Sequence, residues 1–552
     1  MAKRSSAQIQ KQQSNQDDKK VFTRTPHPDT EHAPNTLGLH FEVSDSRCLQ
    51  VAEIVNIIID ILLPIPSTLI ELDWEERDIE DDEYVGRSAV LSLARSCTYF
   101  VNPCMDALWY QQDSATPLLR ILGVPDELLQ KESKADDLIP EVIRQIDWDR
   151  FALYASRVRS LWVDEAVLYA PLLRALCSER QVLLPSLRQL FWKVEDADLF
   201  PYVSAFGSRT LKRLWCCPEN WNPIHTAMSV PFASFLQGCR LEQVTFRGST
   251  PLDSEVSLRE TQMTSEAVKL LPPLCAFTSH FTLSPDAVLH LARMPGLKAL
   301  RLGCNTMVPL VARDMPAPDF QIFPSLVRCK LHFYHVEVVT DLLHAFGDKR
   351  RIRRLAIMPE TFTTANALAH LFAAVYRHCE VDVLSELFVM PWTAINIVGE
   401  QAIPIYPNVL TPLLAFTRMA HFSVHVQAAE WDDDLLASMA HSWPLLHTLS
   451  LVSLPKFSST GEILSNVTPA GLIPLARQCP RLRSLSLDVA VPQNFWHHQK
   501  VRNWVHDKAE MPPLMSFYMT ATPAGFSWRS QMVSFLSDIF PNIDWQCLAL
   551  LC

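Results

Sequence analysis

The sequence predicts an α/β chain: three short helices forming a small N-terminal domain, then an irregular solenoid with single parallel strands on its concave face and helices outside. Three observations lead there. A helix-spaced apolar run occupies residues 51–63, a second helical pattern runs from Leu93 to Trp109, and a strand-spaced unit recurs from Val158 to Leu487. The composition permits such a fold. Of 552 residues, 48% are hydrophobic and 20% charged, which supplies a substantial core and does not suit a disordered protein.

Residues 1–46 are polar, carry Pro26, Pro28 and Pro34 and lack any sustained period, so they read as a disordered leader. Lys3, Arg4, Lys11, Lys19 and Lys20 give a weak nuclear address or simply a solvated tail. Order is expected from "VAEIVNIIIDILL", Val51 to Leu63. Its isoleucines favour a strand, yet Glu53, Asn56 and Asp60 fall at i, i+3 and i+7, opposite Ile54, Ile57, Ile58, Ile61 and Leu62. That pattern predicts an amphipathic helix, which Pro64 and Pro66 stop. From Glu71 to Glu83 come nine acidic residues and one arginine. Such density repels itself and reads as a solvated insertion at about 67–88, or as an acidic docking surface for a basic partner. Next, Leu93, Cys97, Phe100 and Val101 mark one helix, and Asn102 with Pro103 an N-cap and first-turn proline for another carrying Cys104, Ala107, Leu108 and Trp109. Three short helices over 47–122 make a thin core, which suggests an obligate partner.

Beyond residue 122 the chain is assigned to one repeat domain, 123–552. The repeating unit is apolar, two variable residues, apolar, one variable residue, apolar: "VRSLWV" from Val158, "LRQLFW" from Leu187, "LKRLWC" from Leu211 and "LEQVTF" from Leu241. It returns as "LKALRL", "LVRCKL", "IRRLAI", "LSELFV", "MAHFSV", "LHTLSL" and "LRSLSL", starting at Leu297, Leu326, Ile352, Leu384, Met419, Leu446 and Leu482, with a degenerate copy at Leu274–Phe281. This is the pattern of leucine-rich repeats, a strand on the period-2 portion and a helix returning the chain. Ser284 with Pro285 and Thr468 with Pro469 supply helix starts; Leu368, Leu371, Phe372 and Val375 give another helix face. Asn305 stands where the repeat's asparagine belongs and most other copies lack it, which with the uneven spacing predicts an irregular solenoid. The alternation of strand and helix disfavours a purely helical array. "FLSDIFPNIDW" reads as the C-terminal cap.

Little of the sequence reads as chemistry. No dinucleotide fingerprint, phosphate loop, HExxH or nucleophile elbow occurs, and 13 glycines against 39 prolines disfavour glycine-rich loops. His332 with His335, and His497 with His498, lack partners at metal-ligand spacing, so no metal or cofactor is expected. No signal or membrane-spanning run is seen, which places the chain in the cytosol or nucleus, and fourteen scattered cysteines read as reduced thiols. Asn466 begins a glycosylation triplet that such a location leaves unused. A net charge of -11 argues against general nucleic-acid binding.

The residues between apolar strand positions face away from the core, and parallel stacking gathers them on one surface. There the sequence places Arg213, Arg247, Arg301, Arg328, Lys330, His332 and Arg354, bordered by Trp215, Phe388 and Met390. Guanidinium groups pair bidentately with carboxylate and phosphate, so the stripe suits an acidic or phosphorylated protein segment. Solubility alone is the competing reading.

The N-terminal region resembles an F-box domain, in the variant found in F-box proteins of mushroom-forming (basidiomycete) fungi. "VAEIVNIIIDILL" is similar to the family's opening helix, with Glu53 and Ile54 matching and Val51–Ala52 standing where Leu-Pro is usual; in "LSLARSCTYFVNPCMDALW", Leu93, Ala94, Cys97, Phe100, Leu108 and Trp109 fall on the family's second and third helices. The resemblance implies a non-catalytic substrate receptor of an SCF-type ubiquitin ligase. Val51, Ile54, Ile57, Ile58, Leu93, Phe100, Leu108 and Trp109 would then contact the Skp adaptor, which brings cullin and RING subunits, while the repeats hold a protein substrate. A leucine-rich-repeat scaffold with a degenerate F-box is the alternative, and an enzyme with an unrecognised site a third.

Overall fold

The computed structural model describes residues 52–63, 82–129, 135–164, 170–193, 199–216, 235–247, 254–303, 322–360, 364–391, 404–453, 465–490, 514, 516–521, 528–540 and 548–551. The leader, Val51, the acidic residues up to Asp81, Asn305 and His497–His498 lie outside them.

Helix α1 spans Ala52–Leu62, as its spacing predicts. Its buried residues are Val55 and Ile59, one turn apart, followed by Leu63. The isoleucine stripe instead meets solvent: Ile54, Ile57 and Ile61 are 37%, 57% and 74% exposed. The division between the chain's two compact units falls within this helix, after Ile58. Helix α2 spans Asp82–Ser96 and α3 Thr98–Tyr110. The end of the expected acidic loop is therefore helical from Asp82. The expected break at Asn102–Pro103 is also displaced. It falls at Cys97, whose backbone is extended (φ -155°, ψ 142°), and Pro103 sits inside α3. The hydrogen bond that Pro103 cannot make frees the carbonyl of exposed Tyr99, which water can reach. Arg157 steadies this turn by donating to Asn102 Oδ1 (3.1 Å) and pairing with Asp106. Where α1 ends, α2 comes so near that a Cβ on Gly86 would lie 2.3 Å from the Leu62 carbonyl oxygen, so only glycine fits.

A single parallel sheet follows. Its strands are β1 (Gln111–Gln112), β2 (Ser160–Asp164), β3 (Gln189–Lys193), β4 (Arg213–Cys216), β5 (Gln243–Phe246), β6 (Ala276–Ser279), β7 (Ala299–Gly303) and β8 (Arg328–Phe333). It continues with β9 (Arg354–Pro359), β10 (Glu386–Val389), β11 (His421–Val426), β12 (Thr448–Ser453), β13 (Ser484–Val489), β14 (Ser516–Ala521) and β15 (Leu548–Leu551). Spatial order equals chain order throughout, and every neighbouring pair is parallel. This is an irregular solenoid of leucine-rich-repeat type, with the degenerate copy forming β6. The sheet begins at Gln111, inside the range expected for the helical domain.

The repeat's apolar positions carry the core. Leu161, Leu190, Leu214, Val244, Phe277 and Leu300 stand in register on successive strands, each at most 1% exposed. They belong to one apolar cluster running from Ala115 to Phe540 that includes the inner faces of the returning helices. Those helices start as the sequence indicates. Ser284 caps α4 (Pro285–Ala292), Thr364 caps α5 (Ala365–His378), and Asp432 caps α6 (Asp433–Ser442), accepting from Leu435 N at 2.8 Å. Thr468 caps the single turn Pro469–Gly471 that precedes α7 (Leu472–Gln478). Removing the carboxylate in Asp432→Ala leaves the Leu435 N–H without that acceptor, and urea denaturation should show a loss of about 1 kcal/mol.

The cysteines among the described residues are free thiols, most of them buried. Burial pushes the Cys379 thiol up to about 12, which leaves it protonated and unreactive near neutral pH. No described helix is long and apolar enough to cross a membrane.

Candidate functional site

On each strand the residues between core positions point to the other face of the sheet, its open face. Two rows of that face are fixed by the register. One reads Arg213, Gln243, Ala276, Ala299, Arg328, Arg354, Glu386, His421 from β4 to β11. The other, two residues further along each strand, reads Trp162, Phe191, Trp215, Thr245, Thr278, Arg301, Lys330, Ala356, Phe388, Ser423, Ser450, Ser486 from β2 to β13. The face therefore changes character along its length: aromatic, then cationic, then small and hydroxylated.

The cationic zone gathers most of the expected basic residues. Arg301 and Lys330 are direct register partners, as are Arg328 and Arg354. Side chains directly opposite on neighbouring strands interact, so these cations sit within one another's field. His332 sits beside Gly303 in the same register, and His280 follows β6, its N–H donating to the Phe246 carbonyl at 2.9 Å. Burial, then the charges of Arg301, Arg247, His332 and Lys330, depress the His280 pKa to about 3; burial, Arg301 and Lys330 depress that of His332 to about 4. Both imidazoles are neutral at pH 7, and the positive charge resides on the arginines and lysine. Glu360 Oε1 lies 3.6 Å from His332 Nε2, and burial raises the Glu360 pKa.

Arg354 is engaged differently. Its Nε lies 3.4 Å from Glu386 Oε2 and its guanidinium 5.3 Å from the centre of the Phe388 ring. Arg213 stands apart, three strands from Arg301 and flanked in register by Gln189 and Gln243. The structure thus brings together Arg247, Arg301, Lys330 and His332, sets Arg328 and Arg354 beside them, and leaves Arg213 out.

His280 was absent from the expected set because it follows the degenerate repeat, where strand phase is hard to assign. The aromatic zone was also larger than Trp215. Trp162 and Phe191 stack at 5.2 Å between centroids and 14° between planes, and Trp215 lies 5.7 Å from Trp162 and 6.3 Å from Phe191. All three are half-buried. A signal was available in "LWV", "LFW" and "LWC", where the same repeat position is aromatic three times running.

No protein-family profile and no curated protein matches the chain. A solved structure described as the Rad7 and Elc1 complex in yeast aligns over 84% of this chain and 96% of that one, at 12% identity and a TM-score of 0.32.

The residues expected to meet an adaptor divide by burial. Ile54 and Ile57 are exposed, Ile58, Leu93 and Leu108 half-buried, and Phe100 is buried. Trp109 packs against the solenoid core, its ring 4.8 Å from that of Tyr154. Phe100 and Trp109 thus pack within the fold, while Ile54 and Ile57 meet solvent. Among the described residues no group of three or more His, Cys, Asp or Glu is placed to hold a metal ion.

Proposed function

We propose that this chain is the substrate-recognition subunit of an SCF-type E3 ubiquitin ligase, in which the helices α1 to α3 act as an F-box docking to a Skp adaptor and the open face of the sheet holds a protein substrate. The observation that carries this reading is the exposed face of α1. Ile54, Ile57 and Ile61 recur at i, i+3 and i+7 and keep 37%, 57% and 74% of their surface in water, although fully burying an exposed isoleucine gains about 1.5–3 kcal/mol. An amphipathic helix with its apolar stripe outward fits a hydrophobic groove on another protein. The buried residues Val55, Ile59 and Leu63 satisfy the fold without that stripe.

In this role the chain supplies proximity. A ubiquitin-loaded E2, brought by cullin and RING subunits through the adaptor, performs the transfer, and the receptor raises the effective concentration of substrate lysines near it.

Co-purification with a Skp adaptor tests the reading. The wild type should retain the adaptor, and Ile57→Asp should reduce retention at least tenfold while leaving the melting temperature unchanged, because Ile57 contributes little to the core. A wild type that fails to retain the adaptor where another F-box protein does would leave a scaffold without ligase coupling.

A further inference from the structure

Two imidazoles meet where helix Val336–Ala345 packs against α5. His344, in the last turn of the first helix, is exposed, whereas His378, the last residue of α5, is 5% exposed. His344 Nδ1 lies 3.1 Å from His378 Nε2 with the ring planes at 86°, so the contact is a hydrogen bond between ring edges rather than a stack. The other nitrogen of His378 decides which ring donates. Its Nδ1 lies 2.5 Å from the carbonyl oxygen of Gly347, which can only accept, so Nδ1 carries a proton and Nε2 of the neutral ring is an acceptor. His344 Nδ1 is then the donor. Gly347 makes this turn at φ 71°, in the left-handed region open to glycine. Backbone closes the same corner: Arg350 N–H donates to the His378 carbonyl at 2.8 Å, and Glu380 N–H to the Arg350 carbonyl at 2.9 Å.

The surroundings disfavour a charge on His378. Arg350, 7% exposed, donates from Nη2 to the Phe346 carbonyl at 2.6 Å, and Arg377 precedes His378 on α5. Burial chiefly lowers the His378 pKa; the Gly347 carbonyl raises it, and the charges of His344, Arg377 and Arg350 lower it further. Of the flanking carboxylates, Asp348 acts on Arg350, Glu380 pairs with Arg351 at 3.4 Å, and Glu337 and Asp341 on helix Val336–Ala345 are exposed. Lys349 lies over the Tyr376 ring at 5.3 Å, and helix Pro407–Ala415, which also packs against α5, carries no ionisable side chain. We propose that His344 and His378 form an acid-opened latch between the two repeats that supply Lys330 and Arg354 to the open face. The neutral pair is closed. One added proton leaves it closed, because it rests on exposed His344 while Nδ1 goes on donating. A second proton must go to His378 Nε2; two N–H groups then face each other and a buried cation stands against Arg350, so the pair parts. Each repeat of a solenoid touches only its neighbours, so the opening stays at this corner. The latch does not depend on the receptor reading.

The test is hydrogen exchange of the full-length chain at pH 7.5, 6 and 5 in EDTA, corrected for the intrinsic pH dependence of amide exchange. At pH 5 the amides of Arg350, Cys379 and Glu380 are expected to lose roughly fivefold of their protection relative to those of β2 to β4, the worth of one hydrogen bond. The β2 to β4 reference separates this local opening from any general loss of acid stability. A glutamine amide can turn to donate or to accept, so His344→Gln and His378→Gln should each show no such pH response, whatever their protection at pH 7.5. His344→Lys keeps a charged donor opposite His378 and should respond as the wild type does. Protection that stays constant in the wild type down to pH 5, or glutamine variants that respond like the wild type, would overturn the proposal. So would a pH response seen only when EDTA is omitted, which would assign the two nitrogens to a bound metal ion.

Discussion

Trp443→Ala is expected to cost about 3–5 kcal/mol, the largest loss from any single truncation considered for this chain. Trp443 closes α6, is 0% exposed, and sets its ring 4.9 Å from that of Phe422 on β11. Its carbonyl also accepts from Leu446 N at 3.1 Å and faces the Cys479 thiol at 3.6 Å, so it ties three consecutive repeats together. The indole N–H, however, has no hydrogen-bond partner among the described residues. Trp443→Phe therefore loses packing but also removes a buried unsatisfied donor, and should cost only about 1–2 kcal/mol. In a solenoid each repeat leans on its neighbours, so the damage should be local at first. Hydrogen exchange is expected to show early deprotection of β11 and β12 while β2 to β4 keep their protection. Equal loss in both variants would remove the assigned role of the unsatisfied indole.

The second large effect is on acid stability. His280 and His332 have folded pKa values of about 3 and about 4, below the ordinary 6.5. Below pH 6.5 the unfolded chain binds protons that the folded chain refuses, so stability rises with pH across this window. The stabilisation is whole above pH 6.5 and drains away as pH falls toward 4 and then 3. At pH 5 each histidine should have cost at most about 2 kcal/mol relative to neutral pH. Chemical denaturation at pH 7.5, 6 and 5 checks this against the His280→Gln/His332→Gln double variant. Both charge-neutral replacements should flatten the profile by up to about 4 kcal/mol over that range, and an unchanged slope would show that these imidazoles are hydrated in the fold. Other histidines with lowered values, such as His425, contribute to both proteins alike.

Most of the solenoid was legible because leucine-rich positions have two jobs at once. A residue such as Leu300 must alternate with Arg301 along its strand and also recur on the next strand as Cys329, and both constraints appear in the sequence. β1 escaped because Gln111 and Gln112 are polar and the strand has only two residues; it is a strand only because β2 offers it an edge. β14 follows a long interval from β13, although "LMSFYM" from Leu514 carries the repeat's apolar spacing and Leu514 and Phe517 are buried. In the helical region, periodicity identified α1 but not which face packs. Val55 and Ile59 compete with a larger isoleucine stripe, and the choice depends on what surrounds the helix. The break between α2 and α3 was misplaced for a similar reason. Proline usually signals a helix start, yet at position 103 the exposed turn tolerates it and Cys97 bends instead. Of the binding face, charges on adjacent strands were readable from the repeat register, whereas the meeting of His280 with His332 required knowing where a degenerate strand ends.

The agreement between spatial order and chain order has a consequence for synthesis. As the polypeptide leaves the ribosome, every new strand from β2 onward finds its neighbour already made, and none has to wait for a segment still untranslated. The sheet can lengthen from a completed edge by one strand and one helix at a time, so the hydrophobic surface exposed at any moment is that of the last repeat. For a chain with one continuous apolar core from Ala115 to Phe540, growth in that manner limits how much of it is ever bare.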